Sequence, residues 1–450
     1  MKSDIIIIGA GPGGYETALL AASRGKKVVL INGGRLGGTC LNEGCIPTKC
    51  MVKDAAVVNA CNSGEFGLSD LNFRLDFNKV VTRRQHVVEQ LRSGVDSMLR
   101  KAGVEIVEGK GKFVNPHTVA VGEREFEADN IIIATGSSSK ALPIPGADEN
   151  FVMDSSAILK IEYVPASLVI VGGGVIGLEF ASVFSSFGSE VTVVEYMKNI
   201  APTFDSDISK RLKQSLAKRG IKIINGASVK KIEQNSEYQI VVTYDLKGKE
   251  ESLTASDVLM AVGRKPNVED LNLEAAGVEF SARGISVNDD MRTNVEHIYA
   301  IGDVNARMML AHVASYQGIR ALNSIDGIKD NINFNLVPAA LFTEPECGSV
   351  GKTEEQCKEE GIAVKVGKSF FRANGKALAA GEPDGLCKLI FDAETDKIIG
   401  AHIMGAEAAL LVQQCCDFIT AGATRESIVQ TIFGHPTLAE VILSAVHSVK

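Results

Sequence analysis

The apolar residues of this chain fall into short unbroken runs that alternate with stretches of helical spacing. The first run, Ile5-Ile6-Ile7-Ile8, is too short for a helix and shows no polar alternation. That is the pattern of a strand buried on both faces. The loop Gly9-Ala10-Gly11-Pro12-Gly13-Gly14 follows, then a helical pattern over residues 15–24 and a second strand over residues 27–31. The same order returns later. A strand at residues 167–171 leads to Gly172-Gly173-Gly174-Val175-Ile176-Gly177, a helix over residues 178–187, and a strand over residues 190–194 that ends at Glu195.

Between the two loops the pattern predicts a helical stretch, roughly residues 49–101, and then short strands, among them Ile131-Ile132-Ile133-Ala134-Thr135-Gly136. Further strands are expected in Val258-Leu259-Met260-Ala261-Val262-Gly263 and in Ile298-Tyr299-Ala300-Ile301-Gly302-Asp303. Beyond about Val337, strands and amphipathic helices continue without a glycine loop. The expected fold class is α/β, with two Rossmann-like dinucleotide-binding domains and a C-terminal α+β domain. The boundaries are residues 1–147 completed by 267–336, residues 148–266, and residues 337–450.

The two loops predict nucleotide binding for a physical reason. Gly9 permits a tight turn, Gly11 lets a pyrophosphate approach the backbone, and Gly14 allows close helix–strand packing. Gly172, Gly174 and Gly177 repeat these roles, with Val175 and Ile176 opening the helix. Glu195 at the following strand end suits the ribose 2′-hydroxyl of NAD and repels the 2′-phosphate of NADP. The equivalent position of the first copy is Asn32, whose amide can still hydrogen-bond a ribose hydroxyl.

Composition narrows the class. The 450 residues are 45% hydrophobic with a formal net charge of −8, and no basic block stands out, which argues against nucleic acid and anionic membranes as partners. No apolar span is long enough to cross a bilayer. The start of the chain reads as a strand and not as a signal peptide, so a cytoplasmic protein is expected. Nine scattered cysteines are an odd number and do not suggest a secreted disulfide framework.

One cysteine string stands apart: Gly37-Gly38-Thr39-Cys40-Leu41-Asn42-Glu43-Gly44-Cys45-Ile46-Pro47-Thr48-Lys49-Cys50. A disulfide needs Cα atoms within about 7 Å. Positions five apart on one helix point away from each other, so Cys40 is expected on a loop or distorted turn and Cys45 near a helix start, with Pro47 in the first turn. A thiol there has a lowered pKa and exchanges quickly. Spacing alone leaves open whether Cys45 pairs with Cys40 or with Cys50. No second Cys/His pair suggests zinc. The adjacent Cys415-Cys416 reads as core.

These motifs together resemble the flavin-dependent pyridine-nucleotide disulfide oxidoreductases, and within that family the branch that oxidises dihydrolipoyl groups with NAD. The resemblance rests on the two loops, the cysteine string, Ala134-Thr135-Gly136, Gly263-Arg264-Lys265-Pro266-Asn267, Ile301-Gly302-Asp303-Val304, Met309-Leu310-Ala311-His312 and Gly434-His435-Pro436-Thr437-Leu438-Ala439-Glu440. It implies a Cys40–Cys45 redox disulfide. It implies FAD at the first loop, with Gly9, Gly11, Gly14, Asn32, Gly38, Thr39, Lys49, Gly111, Thr135, Gly136, Ser137, Asp303, Met309, Leu310, Ala311 and His312 around it. It implies NAD at the second, with Gly172, Gly174, Val175, Ile176, Gly177, Glu179, Glu195, Val229 and Gly263. Lys49 would lie by the flavin and pair with Glu179.

The catalytic base implied by the resemblance is His435, oriented by Glu440 and reaching the cysteines of the other subunit of a homodimer. The substrate would be the lipoyl domain of an acyltransferase or a glycine-cleavage carrier protein. Phe433 departs from a second histidine common in the family. The alternatives are a reductase of another disulfide of the glutathione type, a mercuric reductase, or a non-catalytic flavin-binding scaffold or sensor.

Overall fold

The computed structural model describes residues 2–69 and 71–449. The chain divides into two units. The first comprises residues 1–50, 79–140 and 263–332, and the second residues 51–78, 141–262 and 333–450.

The first unit is built on β1 (Ser3–Ile8), α1 (Pro12–Ser23), β2 (Val28–Asn32), α2 (Gly38–Glu43), the start of α3 (Cys45–Asn62, which passes into the second unit at residue 51), α4 (Phe77–Lys101, from residue 79 on), β3 (Glu105–Glu108), β4 (Gly111–Asn115), β5 (Thr118–Val121) and β6 (Arg124–Ile133). Its sheet runs β3-β2-β1-β6-β5-β4, with strand Ile298–Ala300 pairing beside β6. The pairs β3-β2, β2-β1, β1-β6 and β6 with Ile298–Ala300 are parallel. Ile5, Ile6 and Ile7 are fully buried, as a strand covered on both faces requires. Gly9 explains the turn that follows. Its φ is +111°, and a Cβ there would lie 2.2 Å from the Ala134 carbonyl oxygen.

Helix α1 starts at Pro12, three residues earlier than the apolar spacing suggests, because proline at the first turn fits a helix start. The predicted helical stretch from residue 49 to 101 is in fact α3 and α4. Gly64 and Gly67, at φ +69° and +66°, lie in the segment between them, where the described residues form neither helix nor strand.

The second unit holds a parallel sheet in the order Lys222–Asn225, Glu190–Glu195, Ser167–Val171, Asp257–Met260, Val152–Met153. Helix Val175–Ser186 follows its central strand. A three-stranded antiparallel sheet, 227–255, adds to this core. The C-terminal part is a five-stranded antiparallel sheet in the order Ala339–Leu341, Cys347–Gly351, Ile398–Met404, Leu386–Asp392, Val364–Phe370. Helices Ala408–Thr420 and Glu440–His447 pack on it around Phe371, Leu389, Phe391 and Val412.

Among the described residues no helix is long and apolar enough to cross a membrane.

Candidate active site

Cys40 lies within α2, a six-residue helix, and not on a loop or distorted turn as its spacing suggests; Cys45 opens α3. The break between them is Gly44, at φ −151° and ψ −109°. A Cβ on Gly44 would lie 3.0 Å from the Thr39 carbonyl oxygen and 3.3 Å from the Cys40 Cα. This close approach brings the Cys40 and Cys45 Cα atoms to 4.7 Å, and the two cysteines form a disulfide. Both residues are half-buried. Pro47 is in the first turn of α3, and the Thr48 amide donates to the Gly44 carbonyl at 3.1 Å.

The other seven cysteines carry reduced thiols. Cys50 is buried inside α3, with its carbonyl accepting from Arg83 at 3.2 Å. Burial pushes the thiols of Cys347, Cys387 and Cys415 well up, so they are unreactive at neutral pH.

Around the first loop, Gly11 is the N-cap of α1 and supplies no side-chain cap, which leaves the first-turn amides to an anion. A Cβ on Gly11 would touch only the Gly38 Cα, at 3.9 Å, so the loop keeps an open cradle for a pyrophosphate. Gly38 itself packs on Gly11, and Thr39 is exposed beside it. Lys49 is half-buried on α3. Gly136 has φ +71°, and the Thr135 hydroxyl donates to the Asn267 carbonyl at 2.7 Å. Asp303 sits in a 3-10 turn, Gly302–Asn305, and accepts from the Ser137 hydroxyl. Met309 and Leu310 precede helix Ala311–Ile325, with Leu310 as its uncapped N-cap and His312 exposed in its first turn.

Arg264, within the Gly263-Arg264-Lys265-Pro266-Asn267 motif, has a structural role that the motif alone does not reveal. It donates to the Ser137 hydroxyl at 2.7 Å and to the Ser137 carbonyl at 2.6 Å, and lies 3.9 Å from the Asp303 carboxylate. It thereby fixes Asp303 from a third segment. Gly111 is buried in β4 against Val119 and Ile31, where packing accounts for the glycine. Asn32 is 4% exposed, and its amide is turned toward Glu108 and Gly34.

In the second unit, Gly174 caps helix Val175–Ser186 without a side-chain bond, and a Cβ there would meet open space. Gly172 has φ +112°. The Gly172 carbonyl oxygen lies 2.1 Å from where a Gly177 Cβ would be, so strand and helix pack tightly there. Val175 and Ile176 form the first turn. Glu195 is 7% exposed; its carboxylate accepts from the Gly173 and Met197 amides, which aim it at the loop. Glu179 is buried on the same helix and accepts from the Phe342 amide at 3.0 Å, so it is not a solvated helix charge. The Val229 side chain is in the core, at a bulge in strand Ala227–Gln234. Gly263, at φ +114°, belongs to the first unit, where its carbonyl accepts from the Lys140 amide at 3.0 Å.

His435 and Glu440 come together at the C-terminal end. His435 Nδ1 lies 2.9 Å from Glu440 Oε1, and Glu440 Oε2 accepts from the Thr437 amide at 2.9 Å. Glu440 is the first residue of the last helix, and Asn374 holds the intervening turn by donating to the Thr437 carbonyl at 3.0 Å. The hydrogen bonds from His435 and from the Thr437 amide hold the Glu440 carboxyl below the usual carboxylate range. The His435 side chain is 79% exposed. No group of three or more His, Cys, Asp or Glu side chains suited to a metal ion occurs among the described residues.

Residues 3–318 match the family model of the pyridine nucleotide-disulphide oxidoreductases, and residues 337–446 that of their dimerisation domain. The chain is 39% identical over 456 residues to a dihydrolipoyl dehydrogenase of Staphylococcus aureus, covering 99% of this chain and 96% of the relative. It is 40% identical over 445 residues to a dihydrolipoyl dehydrogenase of Chlamydia muridarum, covering 97% and 95%. Among solved structures it is similar to the Cu(II) complex of RclA, an HOCl-induced flavoprotein disulfide reductase from Escherichia coli, at a TM-score of 0.90 and 29% identity over the whole of both chains. FAD and NAD are the cofactors of such enzymes, and the two uncapped glycine loops fit them. The motifs, the paired cysteines and these matches agree: this chain is an oxidoreductase belonging to the pyridine nucleotide-disulphide oxidoreductase family.

Proposed function

We propose that this enzyme is a dihydrolipoyl dehydrogenase, which oxidises protein-bound dihydrolipoamide to lipoamide and reduces NAD. The observation that carries the reading is the His435–Glu440 pair, a base already oriented for a dithiol. The near-full-length relatives of that name support it. The domains would be residues 1–147 with 267–336 for FAD, residues 148–266 for NAD, and residues 337–450 for dimerisation, with active sites shared between subunits. A cytoplasmic location fits the seven reduced thiols.

His435 Nε2 takes a proton from one substrate thiol, while Glu440 holds Nδ1 and balances the imidazolium charge. The substrate thiolate attacks Cys40 Sγ; the Cys40–Cys45 bond breaks and Cys45 leaves as the thiolate. The second substrate thiol then attacks the sulfur joined to Cys40; the cyclic disulfide closes, the bond to Cys40 breaks, and the proton of that second thiol passes to the departing Cys40 sulfur, leaving the first proton on His435 and the Cys45 thiolate. FAD bound at the first loop would supply a two-electron acceptor for the dithiol, and NAD at the second loop would supply the final hydride acceptor. Lys49, on α3, would lie by the flavin, and Asp303, fixed by Ser137 and Arg264, would bond its hydroxylated chain.

The test compares NAD-linked oxidation of dihydrolipoamide with NADPH-linked reduction of glutathione disulfide. Turnover in the first and none in the second is expected; the reverse would make the enzyme a glutathione-type reductase.

A further inference from the structure

The first unit has a carboxylate beside its nucleotide loop, but at the end of β3 and not at the end of β2. Asn32 ends β2 and Glu108 ends β3, and the two are direct neighbours in the parallel register. Asn32 Nδ2 donates to Glu108 Oε2 at 2.9 Å and to the Gly34 carbonyl at 3.3 Å, while Asn32 Oδ1 accepts from the Gly34 amide at 3.4 Å. The Asn32 carbonyl also accepts from the Gly109 amide at 2.9 Å. The buried Asn32 amide is therefore committed inside the fold, with little left for a ligand. Glu108 is exposed, and Asn32 occupies only one of its two oxygens. Glu108, Asn32, Gly34, Arg35 and Arg92 line one open cleft where the chain leaves β2.

A ribose hydroxyl at this strand end is best held by a carboxylate, because a hydrogen bond to an ionised acceptor is roughly twice as strong as one to a neutral acceptor. Resting on the assignment of FAD to the first loop, we propose that Glu108 supplies the carboxylate for the adenosine ribose of FAD, and that Asn32 is its positioning residue. The carboxylate has moved from β2 to β3. The Asn32 amide, which cannot repel it, holds one of its oxygens and leaves the other to the sugar.

The experiment is titration of apoprotein with FAD and with an FAD analogue lacking both hydroxyls of the adenosine ribose, followed by flavin fluorescence. For the native chain the analogue should bind about tenfold more weakly than FAD, the strength of one charge-assisted bond. Glu108→Gln should weaken FAD about threefold, leaving one neutral hydrogen bond, and leave the analogue unchanged, so that the variant separates the two ligands less than the native chain does. Glu105→Gln, an exposed charge at the other end of β3, should bind both as the native chain does. Equal weakening of FAD and analogue by Glu108→Gln, no weakening of either, or an equal loss in Glu105→Gln would each overturn the proposal. A native apoprotein that takes up no FAD would overturn the cofactor assignment, and this proposal with it.

Discussion

Glu440 reaches across the Pro436 turn with both carboxylate oxygens, one to His435 Nδ1 and one to the Thr437 amide, each at 2.9 Å. The second bond keeps the carboxylate in place whether or not the imidazole is charged. His435→Gln should therefore cut dihydrolipoamide oxidation by roughly a hundredfold or more, while NADH-driven dye reduction at the flavin survives. Glu440→Gln should do less damage, because it removes only orientation and charge support. Both steady-state rates, measured on the same preparations, check this.

If the site is shared between subunits, mixing a Cys40→Ser chain with a His435→Gln chain should restore activity. One of the two sites in each heterodimer would have all its parts. Verified heterodimers as inactive as their parents would place His435 in service of its own chain.

The disulfide joins Cys40 to Cys45, with Cys50 buried further along α3. Cys50→Ser should leave turnover near normal. Cys45→Ser should abolish dithiol oxidation and keep FAD bound, read from the flavin spectrum.

The Glu195 carboxylate is held by the Gly173 and Met197 amides, so it cannot swing away from an incoming 2′-phosphate. NADP should lose on the order of 2 kcal/mol relative to NAD, at least tenfold in kcat/KM. Glu195→Arg should narrow that gap by removing the repulsion and adding a partner for the phosphate.

Lys388, 1% exposed on strand Leu386–Asp392, bonds both oxygens of the fully buried Asp205 at 3.0 and 2.8 Å and reaches Asp207 and Glu354. Burial disfavours its charge, but the hydrogen bonds it donates to these carboxylates outweigh that and hold its pKa above the ordinary lysine value. Lys388→Met would strand the Asp205 charge and should cost about 3–5 kcal/mol. Asp207 gives the acid side of the same network. Burial opposes its ionisation, yet Lys368 and Lys388 pull it down to about 2 from 3.8. A depressed carboxylate contributes stability above its unfolded pKa and loses it as pH falls through the folded one. The Asp207 share should thus disappear between about pH 4 and pH 2, and Asp207→Asn should flatten thermal stability across that window.

The glycine loops and their flanking strands were legible because the features that define them are local. Strand Ser167–Val171 begins and ends where the apolar run does. The placement of Cys40 was not, since the helix break at Gly44 depends on a close backbone approach that no residue type announces. Ser137 meets Arg264 and Asp303 from 127 and 166 residues away, and the Asn32–Glu108 contact depends on which strand lies beside β2. Lys388 would be read as a surface lysine, because its partners come from another part of the chain.

The Gly44 joint has a consequence for the cycle of oxidation and reduction. The two Cα atoms, 4.7 Å apart, are held by hydrogen bonds on either side as well as by the sulfur–sulfur bond: the Asn42 side-chain amide in α2 donates to the Leu36 and Gly38 carbonyls at 2.9 Å, and the Thr48 amide in α3 donates to the Gly44 carbonyl at 3.1 Å. When the bond is cut, the two thiols stay neighbours. Each sees the other at a high effective concentration, so closing the ring again requires no search of conformations and almost no loss of chain entropy. A cysteine pair held in this way can cycle many times without the protein around it having to refold.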